Sequence, residues 1–335
     1  MTMAVSDKKP RVILWIPVDL YKNAVLPEVS KVSGIELIVT DDPAQLPDIL
    51  PQAEGMISSG ASRYTADVAK AIATHGTKLR WFQTVAAGND GLVMHGIPSN
   101  VVVTGSGGHS APVVAEHALA LLMATSHCMP DIVRNTAEAS WNKDFRPRYR
   151  SLFGKTAVVV GMGRIGQEIT KRLKAFDMKV IGVTRSGAAH PGLDAAAPVS
   201  ALCSALAEAD AAIIAAPLTP ETTGLFGARE FAAMKPGGFL VNISRGKMID
   251  QAALHDALTS GHLAGAGLDV TDPEPLPGDD PLWGAPNLIV SPHIAGSGST
   301  ESPKRLAAAV LANLDALLGK GEGFKNILPF GKHAA

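Results

Sequence analysis

Residues 156–176 read TAVVVGMGRIGQEITKRLKAF. The first five, a threonine followed by alanine and three valines, are small or β-branched and mostly apolar, the composition of a strand buried on both faces. Beyond them Ile165, Ile169 and Leu173 recur at helical spacing and form one apolar stripe. Gly161, Gly163 and Gly166 occupy the turn between strand and helix. In a chain with 33 glycines that spacing alone decides little, so the flanking strand and helix carry the reading. In this setting each glycine has a task. Gly161 permits the tight turn, Gly163 lets backbone approach a pyrophosphate, and Gly166 lets the helix lie close to the strand. The helix start adds unpaired N–H groups and the positive end of the helix dipole. The stretch predicts a parallel α/β sheet with a dinucleotide at its edge, held by Gly161, Gly163, Arg164, Ile165 and Gly166.

Outward from this segment, short apolar runs alternate with helical patterns. Strands are expected at 156–160, 179–183, 211–216, 238–244, 265–270 and 288–291, enough for a doubly wound sheet. An earlier series falls at 11–18, 35–39, 55–58, 79–84 and 101–104, with a helical stretch at 66–74. The Gly/Ser-rich break TGSGGHSAP (104–112) separates the two series and leads into a helical run at 113–127. A helix at 303–318 follows the second series, then GKGEGF and a terminus read as polar. The expected class is α/β with two parallel sheets.

The chain has 335 residues, Lys+Arg 30 against Asp+Glu 31, and a formal charge of -1, which gives no electrostatic case for nucleic acid or an acidic membrane. Its most apolar stretch, APVVAEHALALLMA (111–124), is interrupted by Glu116 and His117 and is too short to span a bilayer. The N-terminal MTMAVSDKKPRVILWIPV lacks a signal-peptide pattern, so a cytoplasmic protein is expected. Cys128 and Cys203 suggest neither a disulfide framework nor, with no CxxC or Cys/His cluster, a metal site.

The choice of dinucleotide is read at the end of the strand after the glycine turn. An NAD site wants an acidic residue there, accepting from the ribose hydroxyls. Here Thr184, Arg185 and Ser186 stand instead. A guanidinium pairs with a 2′-phosphate and hydroxyls donate to it, so NADPH is preferred over NAD. Three further segments end strands of the second series: NISRG (242–246), LDVTDPEP (268–275) and SPHIAG (291–296). They bring Arg245, Glu274 and His293 to the sheet edge where open α/β sheets bind ligands. Delivering hydride to a carbonyl beside a carboxylate needs such parts: a cation for the acid, a proton donor for the oxygen, and a carboxylate partner for the donor.

The segments VVAEHALALLM, LFGKTAVVVGMGRIG, PLTPETTGL, MKPGGFLVNISRG, GAGLDVTDPEPLP and PNLIVSPHIAG, in this order over residues 80–300, resemble the D-isomer-specific 2-hydroxyacid dehydrogenase family. The resemblance implies two α/β domains with the active site in the cleft between them. The substrate-binding domain is then discontinuous, 1–107 plus 300–335, and the dinucleotide-binding domain is 108–299. It implies that Arg245 holds the substrate carboxylate, His293 is the acid, and Glu274 orients the imidazole. Ala87 and Gly88, in the loop VAAGND (85–90), would hold the carboxylate's other side. Asp269 falls near the nicotinamide carboxamide, Pro217 with Leu218 lines the cofactor groove, and Ile243 and Ala295 complete the cofactor contacts. A homodimer through the dinucleotide-binding domain, by helix 113–127 and the arm to Trp141, is implied too.

The chain departs from the family's usual Asp at Thr184-Arg185, as do the NADP-using glyoxylate and hydroxypyruvate reductases. Reduction of a small 2-oxo acid to the D-2-hydroxy acid is therefore expected. Bulkier 2-oxo acids, or a dinucleotide-binding corepressor on the same scaffold, are the alternatives. Glu274 argues against formate oxidation, where the family carries Gln. Trp81, Phe82, Met56, Tyr64 and Trp283 either shape the pocket for the substrate's variable group or fill core. His109 is read as a hinge or cofactor-side contact rather than an acid.

Overall fold

The computed structural model describes residues 9–333. The reading of the extreme N-terminus at residues 1–8 lies outside the described residues. The strands, in chain order, are β1 Arg11–Trp15, β2 Glu36–Val39, β3 Ala53–Ser58, β4 Trp81–Thr84, β5 Val102–Thr104, β6 Thr156–Val160, β7 Lys179–Thr184, β8 Ala195–Pro198, β9 Ala211–Ile214, β10 Gly238–Asn242, β11 Leu263–Leu268, β12 Leu288–Val290 and β13 Ile327–Gly331. The chain divides into two compact units: one runs to His109 and resumes at Ser299, and the other is Ser110–Gly298.

In the Ser110–Gly298 unit seven strands lie in the order β12-β11-β10-β9-β6-β7-β8, all parallel. Alternation along β6 sends Val158 and Val160 into one apolar cluster and Ala157 and Val159 into another. Both faces of the sheet are therefore covered, which is why its central strands read as unbroken apolar runs. Small residues set the spacing. A Cβ on Gly267 of β11 would stand 2.6 Å from Leu121 Cβ, so the helix Ala111–Ser126 lies almost directly on that strand.

In the other unit six strands lie in the order β13-β5-β4-β3-β1-β2, with only β13 antiparallel. Val12 and Leu14 of β1 pack with Leu306, Val310 and Leu314 of the helix Glu301–Leu317. A buried polar network fixes that late segment to the early sheet. Asn313 Nδ2 donates to Gln83 Oε1 (2.8 Å), and Asn313 Oδ1 accepts from Lys325 N–H (2.6 Å). Gln83 Oε1 also accepts from Thr104 Oγ1 (2.8 Å), whose oxygen accepts from Trp81 Nε1 (2.8 Å). Paired polar groups of this kind are tolerated in a core and specify one arrangement of it.

Two strands and one helix depart from the sequence reading. The tail read as polar forms β13, and the stretch AAAP forms the outer strand β8. Alanine favours helix and Pro329 cannot donate to a ladder, so neither segment carries a strand signature. Each is an edge strand, where pairing on one side suffices. The arm after helix Ala111–Ser126 contains a further helix, Met129–Ala137.

His109 closes the first stretch of its unit, 4 % exposed, its ring edge-on to Tyr21 and its carbonyl accepting from Ser302 Oγ (2.9 Å). Burial, helped by the charge of Arg305 and opposed by a hydrogen bond to the Ser106 backbone, pulls its imidazole down to about 4. The unfolded chain thus binds a proton at higher pH than the folded one does. The stability held above pH 6.5 is expected to fall as pH drops through 6.5 toward 4, by about 3 kcal/mol from this residue. Urea unfolding at pH 7.5 and 4.5 measures it. His109→Gln should remove that part of the acid loss, and an unchanged acid loss in the variant would refute the assignment.

Candidate active site

The glycine turn is held by sterics. Gly161 has φ +97°, and a Cβ there would lie 2.6 Å from the backbone of Ala216. A Cβ on Gly166 would lie 1.9 Å from Gly161 O, so the helix Arg164–Ala175 starts in direct contact with the turn. Gly163 differs, since a Cβ there meets nothing within 4 Å. Its open face at a helix start with no side-chain cap suits an incoming phosphate group. Arg185 and Ser186 are exposed after β7, and Thr184 Oγ1 accepts from Ala188 N–H (3.2 Å). Pro217 is exposed and tied through its carbonyl to Thr222 Oγ1 (2.8 Å), while Ile243 and Ala295 are buried.

Arg245 follows β10 and is half-buried. Asn242, wholly buried, accepts from Ser244 N–H (3.0 Å) and donates to Arg245 O (2.9 Å), closing the loop on itself. Ser244 Oγ donates to Ala216 O, and Arg245 Nη1 to Ser244 O (2.7 Å). The next residue, Gly246, lies against the loop after β11. A Cβ there would be 2.0 Å from Thr271 C and 2.5 Å from Asp272 N. That second loop is clasped by Gln251, whose amide accepts from Asp272 N–H (2.7 Å) and donates to Asp272 O (2.9 Å). Within it Glu274 Oε1 accepts from Thr271 N–H (3.3 Å).

Glu274 Oε2 lies 2.9 Å from His293 Nδ1. Their side chains are 39 % and 51 % exposed, so the pair stands at the surface of its unit with the imidazole's other nitrogen available. His293 has φ +52°, a left-handed conformation uncommon for a residue with a side chain. It is held there from beneath: His293 N–H donates to Asp269 O (2.9 Å), and the Asp269 carboxylate accepts from Ile294 N–H (3.0 Å), Ala295 N–H (2.9 Å) and Ser291 Oγ (2.6 Å). That carboxylate is 1 % exposed.

Glu274 and His293 are thus in contact, and Arg245 is coupled to them through Gly246 against the Thr271–Asp272 peptide. Ala87 and Gly88 belong to the other unit, exposed and half-buried after β4. Trp81, Phe82, Met56 and Tyr64 are core residues, each at most 1 % exposed. Trp283 is exposed, with Nε1 donating to Pro277 O (2.8 Å). Sequence reasoning passed over Gln251 and His117 as site residues. The signal for His117 was a polar side chain inside an apolar helix. Among the described residues no group of His, Cys, Asp and Glu is arranged to hold a metal, and no helix is long and apolar enough to cross a membrane.

Residues 119–295, more than half of the chain, match the family described as D-isomer specific 2-hydroxyacid dehydrogenase, NAD binding domain. The chain belongs to this family. It is an oxidoreductase that uses NAD(P) and interconverts 2-oxo and 2-hydroxy acids. It is 36% identical over 243 residues to the glyoxylate reductase of Korarchaeum cryptofilum, covering 71% of this chain and 73% of that one. To the glyoxylate/hydroxypyruvate reductase B of Citrobacter koseri it is 33% identical over 326 residues, covering 94% and 97%. A solved structure of the NADPH-dependent glyoxylate/hydroxypyruvate reductase from Sinorhizobium meliloti, in complex with NADP and malonate, superposes with a TM-score of 0.74 at 27% identity, covering 98% of this chain and 100% of that one. The chain spans about half the length of the D-3-phosphoglycerate dehydrogenases it also matches.

Proposed function

We propose that this dehydrogenase reduces a small 2-oxo acid, glyoxylate or hydroxypyruvate, to the D-2-hydroxy acid, with NADPH as the preferred reductant. The observation that carries the reading is the 2.9 Å contact between Glu274 Oε2 and His293 Nδ1. It commits Nδ1–H to the carboxylate and leaves Nε2 as the nitrogen that can pass a proton to substrate. The likeness to the glyoxylate reductase and to the glyoxylate/hydroxypyruvate reductase B supports the small substrate.

In this reading Arg245 pairs with the substrate carboxylate and polarises the adjacent carbonyl. A bound reduced nicotinamide supplies the hydride for the carbonyl carbon. His293 Nε2 gives its proton to the carbonyl oxygen, so the product leaves as the alcohol, and Glu274 keeps the imidazole aimed as its charge changes. Gly161, Gly163, Arg164, Ile165 and Gly166 would hold the pyrophosphate, with Pro217, Ile243, Asp269 and Ala295 along the rest of the cofactor. The open face of Gly163 and the positive φ of Gly161 fit that group.

Thr184, Arg185 and Ser186 would take the 2′-phosphate, since residues 184–193 carry no carboxylate to repel it and the exposed Glu221, whose charge feels Arg185, comes from another loop. The ratio of kcat/KM for NADPH over NADH, measured with glyoxylate and hydroxypyruvate, is expected to exceed about tenfold, and Arg185→Asp should reverse it. A wild-type preference for NADH would overturn the cofactor assignment, and no turnover on either acid would overturn the substrate. The same reading has two copies pairing through the Ser110–Gly298 unit, supported by the exposed Val133, Trp141 and Phe153. A light-scattering mass near 34.7 kDa would contradict that.

A further inference from the structure

We propose that His117 is a positioning residue for the His293 turn, acting through Ser291 and the buried carboxylate of Asp269. The inference rests on the reading of His293 as the proton donor. His117 Nε2 lies 2.8 Å from Ser291 Oγ and 3.4 Å from Asp269 Oδ1. Ser291 Oγ lies 2.6 Å from Asp269 Oδ1. The proton inventory sets the direction of this chain. A serine hydroxyl has one hydrogen, and a carboxylate can only accept, so that hydrogen goes to Asp269. Ser291 Oγ therefore presents lone pairs to His117, and Nε2 must carry the hydrogen between them. The network places a hydrogen on His117 Nε2, which donates into the relay.

The placement follows from the helix. Leu121 covers Gly267 of β11, and His117 precedes it by one helical turn. It therefore stands over the C-terminal end of that strand, where β11 gives way to Asp269 and β12 to Ser291. The consequence reaches the acid through backbone. The Asp269 carboxylate, 1 % exposed, holds the amides of Ile294 and Ala295, the two residues directly after His293. A buried carboxylate is costly unless its lone pairs are filled, and it turns to find donors when one is lost. Removing the donor behind Ser291 frees the hydroxyl to rotate away from Asp269. The carboxylate then loses one of its three donors, and the left-handed turn at His293 loses its fixed footing. The imidazole stays in the site but is less well aimed. That lowers the rate of proton transfer more than it weakens binding.

The test uses the full chain with NADPH and glyoxylate. His117→Leu and Ser291→Ala are each expected to lower kcat about tenfold while KM for glyoxylate stays within about twofold. His117→Gln, whose amide N–H can reach the position of Nε2, is expected to restore kcat to within about threefold of wild type. Because both residues act through one carboxylate, the double variant should be no slower than the slower single variant. Equal loss in His117→Gln and His117→Leu, or multiplicative losses in the double variant, would overturn the relay. A second readout needs no turnover. In ¹⁵N-histidine-labelled protein, long-range ¹⁵N–¹H spectra should find a hydrogen on His117 Nε2, and the Nδ1–H tautomer would overturn the proposal. Wild-type protein with a hydrogen on Nε2 but no activity on 2-oxo acids would instead refute the catalytic reading and leave the hydrogen-bond assignment standing.

Discussion

His293→Asn is expected to lower kcat for 2-oxo acid reduction by about a thousandfold, the scale of losing a positioned general acid. Asparagine is the informative replacement because the backbone at His293 is left-handed, with φ +52°. Asn tolerates that conformation better than Ala, so the turn keeps its shape and the loss reports chemistry rather than strain. The Asn amide supplies no acid proton to the carbonyl oxygen. The side chain is 51 % exposed, so removing it leaves no cavity, and the thermal midpoint should stay put. The dinucleotide Kd, measured by fluorescence titration, should change by less than about twofold, because the interaction lost is made to substrate and transition state. Glu274→Gln should lower kcat by a smaller factor, about ten- to a hundredfold. It keeps an acceptor for Nδ1–H but replaces a charge-assisted hydrogen bond with a weaker neutral one. A kcat for His293→Asn within threefold of wild type would end the proposed role of this residue, since no other group at this turn replaces it.

Gly246→Ala is expected to damage stability and turnover together. The new methyl would stand 2.0 Å from Thr271 C, 2.1 Å from Thr271 O and 2.5 Å from Asp272 N. These are backbone atoms, and the loop that carries them is clasped by Gln251 at both the amide and the carbonyl of Asp272. Neither side can yield by rotating a side chain. Relief requires one loop to move by about 1 Å or more, at a cost of about 3 kcal/mol. The displaced loop carries Glu274, so the contact at His293 Nδ1 opens, and a misplacement on this scale costs about a hundredfold in rate. Gly163→Ala is the contrasting variant, because its methyl meets nothing within 4 Å. It should fold with wild-type stability, and its expected defect is confined to dinucleotide affinity. Urea midpoints and dinucleotide titration of the two variants separate the cases. A Gly246→Ala protein with wild-type midpoint and kcat would show that the two loops are not the rigid pair described.

Much of the site was legible because parallel sheets put chemistry at one kind of place. Arg245, Glu274 and His293 each follow an apolar run by a few residues, and the C-terminal strand ends of one sheet bring such positions together. The three glycines were legible for a similar reason, since a strand, a turn and an amphipathic helix are all local. The outer strands β8 and β13 were not. An edge strand needs only one paired side, so AAAP and ILPFG are held by neighbours rather than by their own pattern. Nor did local pattern separate core from pocket at Trp81, Phe82, Met56 and Tyr64, because a large apolar residue near a strand end suits either place.

The amino-acid order by itself carried the class of fold and the glycine turn, and through the family resemblance it pointed to Arg245, Glu274 and His293 as the candidate site residues. The fold class and the turn rest on periodicity and on glycine's freedom, and the three candidate residues on short motifs that end apolar runs and carry the resemblance. Only the tertiary structure decided what surrounds them. The Gln83–Asn313 contact joins positions 230 residues apart, and His117 meets Ser291 across 174. Such contacts depend on which strand lies beside which and how closely a helix sits on Gly267. Hydrogen bonds acting over about 3 Å leave no imprint on neighbouring residues in the chain. The orientation of Asp269, with its carboxylate filled by the turn that carries His293, belongs to that second class.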